Sequence, residues 1–124
     1  MFDESITNYG GEDTELAIRL HKKYPKGMRK LTGINAYHIT EKTVEQHIEN
    51  MFEYGKYNFF KIITKHPDYK NDLGYQWTKS IKGRVLFNPF NQLICKFLLK
   101  FLNHPLLIKF LVIDAFIRGV KNKS

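Results

Sequence analysis

From Phe90 to Val120 the chain is almost continuously apolar, and no other feature limits the fold as much. A helix that spans a bilayer needs about 20 mostly apolar residues with few charges. Here Lys96, Lys100, Lys109 and Asp114 interrupt the run, and Asn103-His104-Pro105 splits it. Lys96 and Lys100 stand four apart on one helical face, opposite Phe97, Leu98, Phe101 and Leu102. The pattern predicts two amphipathic helices within residues 90–124 rather than one span. With 124 residues and 43% hydrophobic content, the chain suits a single compact unit with a core.

Charge divides the chain in two. Residues 1–53 hold 7 Lys and Arg against 9 Asp and Glu, whereas residues 54–124 hold 13 against 3. An acidic front suits chemistry or metal binding, and a basic back suits an anionic surface. The basic residues interleave with Leu, Ile and Phe at helical spacing, which argues against a nucleic-acid groove. That pattern fits a solvated face of core helices or an anionic membrane surface. Cys95 is the single cysteine and lies in the apolar run, so it reads as a small hydrophobe. The acidic, polar N-terminal residues lack the basic-then-apolar pattern of a signal peptide. Both features point to a reducing, cytoplasmic setting.

Between these extremes the periodicity changes several times. Leu16, Leu20 and Tyr24 recur at four-residue steps, predicting a helix over 13–24 that Pro25 and Gly27 stop. Residues 28–40 look extended, with His38 near the end of a second short strand. Thr43-Val44-Glu45-Gln46 matches a capping box and opens a helix carrying Val44, Ile48, Met51 and Phe52 on one face. Gly55 reads as an interruption before Phe59, Phe60, Ile62 and Ile63, and His66-Pro67 as the end. Residues 67–89 read as a polar, turn-rich connection. Within it Tyr75 and Trp77 suit stacking on a sugar ring, a lid over a site, or simple packing.

The stretch Asn8-Tyr9-Gly10-Gly11-Glu12-Asp13-Thr14-Glu15-Leu16 places two glycines before an acidic pair at a helix start. Glycines adopt backbone angles closed to other residues and leave room for a ligand to approach the main chain. A carboxylate just beyond such a turn, at a helix N-terminus, is held ionised and in a fixed direction. A general base needs that geometry. The plainer alternative is also open: Asp13 caps the helix and Glu12 is solvated.

The run Phe2-Asp3-Glu4 through Tyr9-Gly10-Gly11-Glu12-Asp13 to Glu15-Leu16 and Arg19-Leu20 resembles the acceptor-side motif of inverting, GT-A-type glycosyltransferases. The likeness is to family 2 enzymes and to the related galactosyltransferase C-terminal domain. Ala36-Tyr37-His38, the helix over 41–55 and the C-terminal helices resemble the same enzymes more loosely. The resemblance implies an α/β fold class: the helix-rich C-terminal portion of a GT-A (nucleotide-diphospho-sugar transferase) domain. Residues 1–66 then form its acceptor-side, catalytic part, 67–89 a linker, and 90–124 the amphipathic helices.

It also implies a hexosyltransferase-type activity. Asp13 is the catalytic base, Glu12 with Gly10 and Gly11 forms the acceptor site, and His38 joins a divalent metal, Mn or Mg. The partners are a nucleotide-sugar donor and a saccharide or lipid-linked acceptor, at the cytoplasmic face of the cell membrane. No Asp-x-Asp metal motif occurs in the 124 residues. The implied donor-binding half is therefore expected upstream, as in a truncated gene, a displaced start or a split enzyme. Without it the chain would be inactive. The competing reading from the residues is a non-enzymatic, basic amphipathic module that binds membranes.

Overall fold

The computed structural model of the chain describes residues 1–27, 29, 32, 33 and 42–122. Every regular element among them is helical. The strands expected over residues 28–40 fall on positions outside the described residues, apart from 29, 32 and 33, which lie in no regular element. The helix-rich half of the expectation thus holds, while nothing in the described residues supports an α/β class.

Helix α1 (Glu12–Lys23) comes directly after the left-handed turn at Gly10 and Gly11. Glu12, Asp13 and Glu15 in its first turn and His21, Lys22 and Lys23 in its last complement the helix dipole. The expected four-residue row is not its buried face. Leu20 and Tyr24 are exposed, whereas Glu15 and Ile18 are buried. The helix is rolled so that Glu15 meets Arg19 and His66, and their hydrogen bonds offset the desolvation of its carboxylate.

Thr43 opens α2 (Val44–Glu53) through the expected capping box. The Gln46 backbone N–H donates to Thr43 Oγ1 at 3.2 Å, and the Thr43 N–H donates to Gln46 Oε1 at 2.9 Å. Gly55 interrupts the α-helix as expected, but without breaking the helical path. A π-helical turn (Tyr54–Asn58) carries α2 directly into α3 (Phe59–Lys65), which ends at His66 before Pro67. The reason for Gly55 is close approach rather than a break. A Cβ there would run into the Phe116 carbonyl oxygen, and one at Gly119 would run into that of Phe52. These two glycines let the α2–π segment cross α7 (Pro105–Lys121) backbone to backbone.

Around this crossing lies the core. Phe59, Phe116, Ile117 and Val120 bury together with Phe87, and Phe59 meets Phe116 edge to face at 4.9 Å between ring centroids. Tyr54 stacks on Phe116 at 5.6 Å. Asp114 is buried on α7 as well, receiving the Arg118 Nε–H at 2.8 Å.

The expected connection at 67–89 is itself largely helical. It holds a short 3-10 turn (Pro67–Tyr69), α4 (Tyr75–Lys79) and α5 (Ile81–Leu86). Elements of five or six residues complete fewer than two turns and leave no readable period. The apolar run then forms α6 (Pro89–Leu99) and α7, as expected. Asn88 caps α6 and His104 caps α7, each with proline in the first turn. Among the described residues no helix is long and apolar enough to cross a membrane.

Candidate functional site

The glycine turn is built as a fixed object. Gly10 has φ +79° and Gly11 φ +101°, both in the left-handed region that other residues resist. A Cβ on Gly11 would also lie 2.7 Å from Ile62 Cδ1 and 2.8 Å from Tyr54 Cε2, so the turn's backbone rests directly on these side chains. Asn58, fully buried in the π-helical turn, holds it from below. Its Nδ2 amide donates to the carbonyls of Asn8 at 2.7 Å, Gly10 at 2.8 Å and, more weakly, Tyr9 at 3.3 Å. Three carbonyl acceptors fix which end of the amide faces the turn. Asn58 Oδ1 is buried with no hydrogen-bond partner among the described residues.

On this turn stand Glu12 and Asp13. Gly11 is the N-cap of α1, and no side chain makes a capping hydrogen bond there. The capping alternative for Asp13 is therefore overturned: the carboxylate lies one residue inside the helix, exposed to solvent. Neither Asp13 nor Glu12 forms a side-chain hydrogen bond or ion pair with the described residues. Glu12 is half-buried rather than solvated, and its Oε2 is buried without a partner. Both line a cleft of about 500 Å³ together with Tyr9, Gly10, Gly11, Thr14, Lys42, Met51 and Tyr54. Burial pushes the Tyr54 phenol up to about 12, which keeps it neutral. Lys42 lies 4.4 Å from the Tyr9 ring centroid and donates to its hydroxyl at 3.2 Å, giving that edge of the cleft an aromatic wall and a positive charge.

Beneath the turn lies a second acidic group with a different job. Glu15 receives the Arg19 Nε–H at 2.9 Å and the His66 Nε2–H at 3.1 Å. A carboxylate only accepts, so His66 carries its proton on Nε2, leaving Nδ1 buried and unpartnered among the described residues. Burial raises the Glu15 carboxyl, but the hydrogen bonds from His66 and Arg19 and the guanidinium charge outweigh it and hold the group below its ordinary value. Nearby, Lys65 pairs with Asp3 and donates to Ser5 Oγ at 2.7 Å, fastening the N-terminal residues to α3. The hydrogen bond from Lys65, with those from Ser5, holds the Asp3 carboxyl well below the usual range.

Of the expected site residues, Gly10, Gly11, Glu12 and Asp13 thus meet in one cleft, while His38 lies outside the described residues. Among the described residues no three His, Cys, Asp or Glu side chains converge as a metal ion needs. These residues alone do not fit the divalent cation. Tyr75 packs on Phe59 and Trp77 is half-exposed, and neither lines the cleft that holds the carboxylates. Cys95 is half-buried, and burial together with the Asp114 carboxylate pushes its thiol up, as befits a packing residue.

Sequence reasoning missed Asn58, Tyr54 and Lys42. Asn58 carried a signal: an amide set between Tyr57 and Phe59 at a position helical spacing buries must find backbone partners. No protein-family model matches the chain, and neither a curated protein nor a solved structure matches it.

Proposed function

We propose that this chain carries the acceptor side and the general base of an inverting glycosyltransferase that uses a nucleotide-diphospho-sugar donor. The observation that carries the reading is two adjacent carboxylates on a clamped turn that the fold does not use. Neither caps α1 or forms an ion pair among the described residues, and Asn58 and Tyr54 restrain the turn beneath them. Structural acids look different, as Glu15 and Asp114 do with their arginine partners.

In this reading an acceptor sugar enters the cleft and donates a hydroxyl to the Glu12 carboxylate on the cleft wall, which orients it. Asp13, in the first turn of α1, takes the proton from the attacking hydroxyl. The freed oxygen bonds to the anomeric carbon of the donor as the bond to the nucleotide diphosphate breaks, inverting that centre. The Tyr9 ring offers an apolar face to the sugar. The resemblance of the flanking Phe2-Asp3-Glu4 and Arg19-Leu20 elements supports the assignment. Here Asp3 and Arg19 have structural roles, tying the N-terminal residues to α3 and α1. The 124 residues contain no Asp-x-Asp. The donor and its metal must therefore be held by residues other than these, and transfer requires that donor-binding half.

Amide chemical shifts during titration with a panel of saccharides test the acceptor site. Shifts centred on Gly10, Gly11 and Asp13, weakened by Glu12→Gln, are expected; a turn that stays silent across the panel overturns the reading. In any preparation that transfers sugar, Asp13→Asn keeps saccharide binding and lowers the rate by about 100-fold or more.

A further inference from the structure

The side of the molecule built by α4, α5 and α6 carries an apolar surface that the core does not use. Along α6 and the residues after it, Phe90, Leu93, Ile94, Phe97 and Phe101 recur at intervals of three and four. They form one helical stripe, yet Phe90 is 71% exposed, Leu93 68%, Phe97 60% and Phe101 73%. The other side of α6 packs on α7, so this helix is apolar on two sides and the fold covers one. Ile81 and Val85, one turn apart on α5, are exposed too. Trp77, Ile81, Val85 and Leu86 line a shallow apolar hollow that reaches Asn91 on α6 and joins the two helices' surfaces. Single exposed apolar residues are ordinary, but a contiguous patch of this kind marks an interaction surface.

The charge around the patch selects its occupant. Between Leu73 and Ile113 the sequence has no Asp or Glu but has Lys79, Lys82, Arg84, Lys96, Lys100 and Lys109, all of them exposed. An apolar stripe bordered mainly by cations, with the exposed Asp72 near Trp77 as the exception, complements a partner that is anionic outside and apolar inside. A bilayer containing acidic lipids has that profile, with lysine stems lying along the acyl boundary and their ammonium groups among the phosphates. A second copy of this face would set its cations against the same cations. A nucleic acid would leave the phenylalanines without a partner. Since no described helix is long and apolar enough to span, contact is in the plane of the surface.

We propose that the α4–α6 face docks on the surface of an anionic bilayer. Phe90, Leu93, Phe97 and Phe101 enter the acyl boundary, Trp77 sits at the headgroup level, and Lys96 and Lys100 contact lipid phosphates. The proposal goes beyond sugar transfer and does not rest on it, because the glycine turn takes no part in this face.

Trp77 is the only tryptophan, so its fluorescence reports on this face alone. The whole chain is titrated with phosphatidylcholine vesicles, with and without phosphatidylglycerol, and followed by flotation and Trp77 emission. A blue shift and flotation with the anionic vesicles are expected, with binding to pure phosphatidylcholine about tenfold weaker or worse. Lys96→Glu with Lys100→Glu lowers anionic-vesicle binding about tenfold or more. Phe97→Glu lowers it at least as much while the melting temperature stays where it was.

Equal binding to both vesicles, or binding indifferent to Phe97→Glu, overturns the proposal. So does a stable oligomer that Phe97→Glu dissociates and that vesicles do not displace, which assigns the face to self-association. Flotation lost only on adding a second protein that covers Trp77 assigns it to that protein instead and equally overturns the bilayer.

Discussion

The α2–α7 crossing and the α4–α6 face are both rich in large apolar side chains, yet one is dry and the other is wet. At the crossing Gly55 and Gly119 let two backbones touch, and Phe59, Phe116 and Ile117 close around the contact. On the other side α6 is as apolar a sequence as α7, but its Phe90–Leu93–Phe97 stripe has no facing element among the described residues. Hydrophobicity alone therefore does not decide which residues form the core here. What decides it is whether a second backbone can come close enough to exclude water, and at this crossing that depends on two missing side chains.

The largest effect should come from filling that space. In Gly119→Val the new side chain meets the Phe52 carbonyl and the Lys56 nitrogen, and backbone cannot rotate away as a side chain can. The helices must separate, which costs about 3 kcal/mol or more. Urea unfolding followed by circular dichroism measures it. An unchanged midpoint would mean that α2 and α7 do not meet in solution, and the contrast between the two regions would disappear.

A smaller loss is expected one turn further along, where the core supports the candidate site. Asn58→Ala leaves the carbonyls of Asn8 and Gly10 without their buried donor, for a destabilisation of about 2 kcal/mol. Hydrogen exchange should quicken most at residues 8–13, while the α4–α6 face is unaffected. Uniform quickening would show instead that Asn58 serves the core in general rather than the turn.

These two positions also mark where the sequence was readable and where it was not. Local chemistry was legible: the Thr43–Gln46 box, the stop at His66-Pro67, the break at Asn103-His104-Pro105 and the acids opening α1 each depend on neighbours in the chain. Contacts made across the fold were not. Gly55 looked like an interruption because its reason, the Phe116 carbonyl, lies 61 residues away. Leu16, Leu20 and Tyr24 looked like a core face because periodicity cannot anticipate that Glu15 finds Arg19 and His66. In the candidate site, the order of Gly10, Gly11, Glu12 and Asp13 marked a turn before an acidic helix start but left capping and catalysis both open. The clamp from Asn58 and the wall of Tyr54 came from a helix more than 40 residues downstream.

A third expectation concerns the acids below the turn. A carboxyl held below its unfolded value stabilises the fold fully above that value, and the contribution is lost as pH falls through the folded one. Glu15 and Asp3 are both shifted down, from ordinary values of 4.5 and 3.8. Unfolding free energy should therefore be insensitive to these groups at neutral pH and fall on acidification below about pH 4. Most of the effect belongs to Glu15, which is buried, because Asp3 lies nearer the surface and is screened. Glu15→Gln should lower stability at neutral pH and flatten the acid decline. An identical slope in the variant would remove Glu15 from the account.

The smallest effect should come from the exposed apolar stripe. Phe97 touches the Phe101 ring, at 5.2 Å between centroids, but it is not part of the buried cluster. In the free chain Phe97→Ser exchanges one solvated surface for another, so stability should move by less than about 0.5 kcal/mol. The same residue type at Phe59, fully buried, should cost several-fold more when replaced by serine, since a cavity and an unpartnered hydroxyl would both be left inside. The pair of variants measures the contrast directly by urea unfolding. Equal losses at 97 and 59 would show that something covers α6 in the folded chain. A near-zero loss at 97 would show that folding does not require the stripe, leaving it available for a surface the chain meets after it has folded.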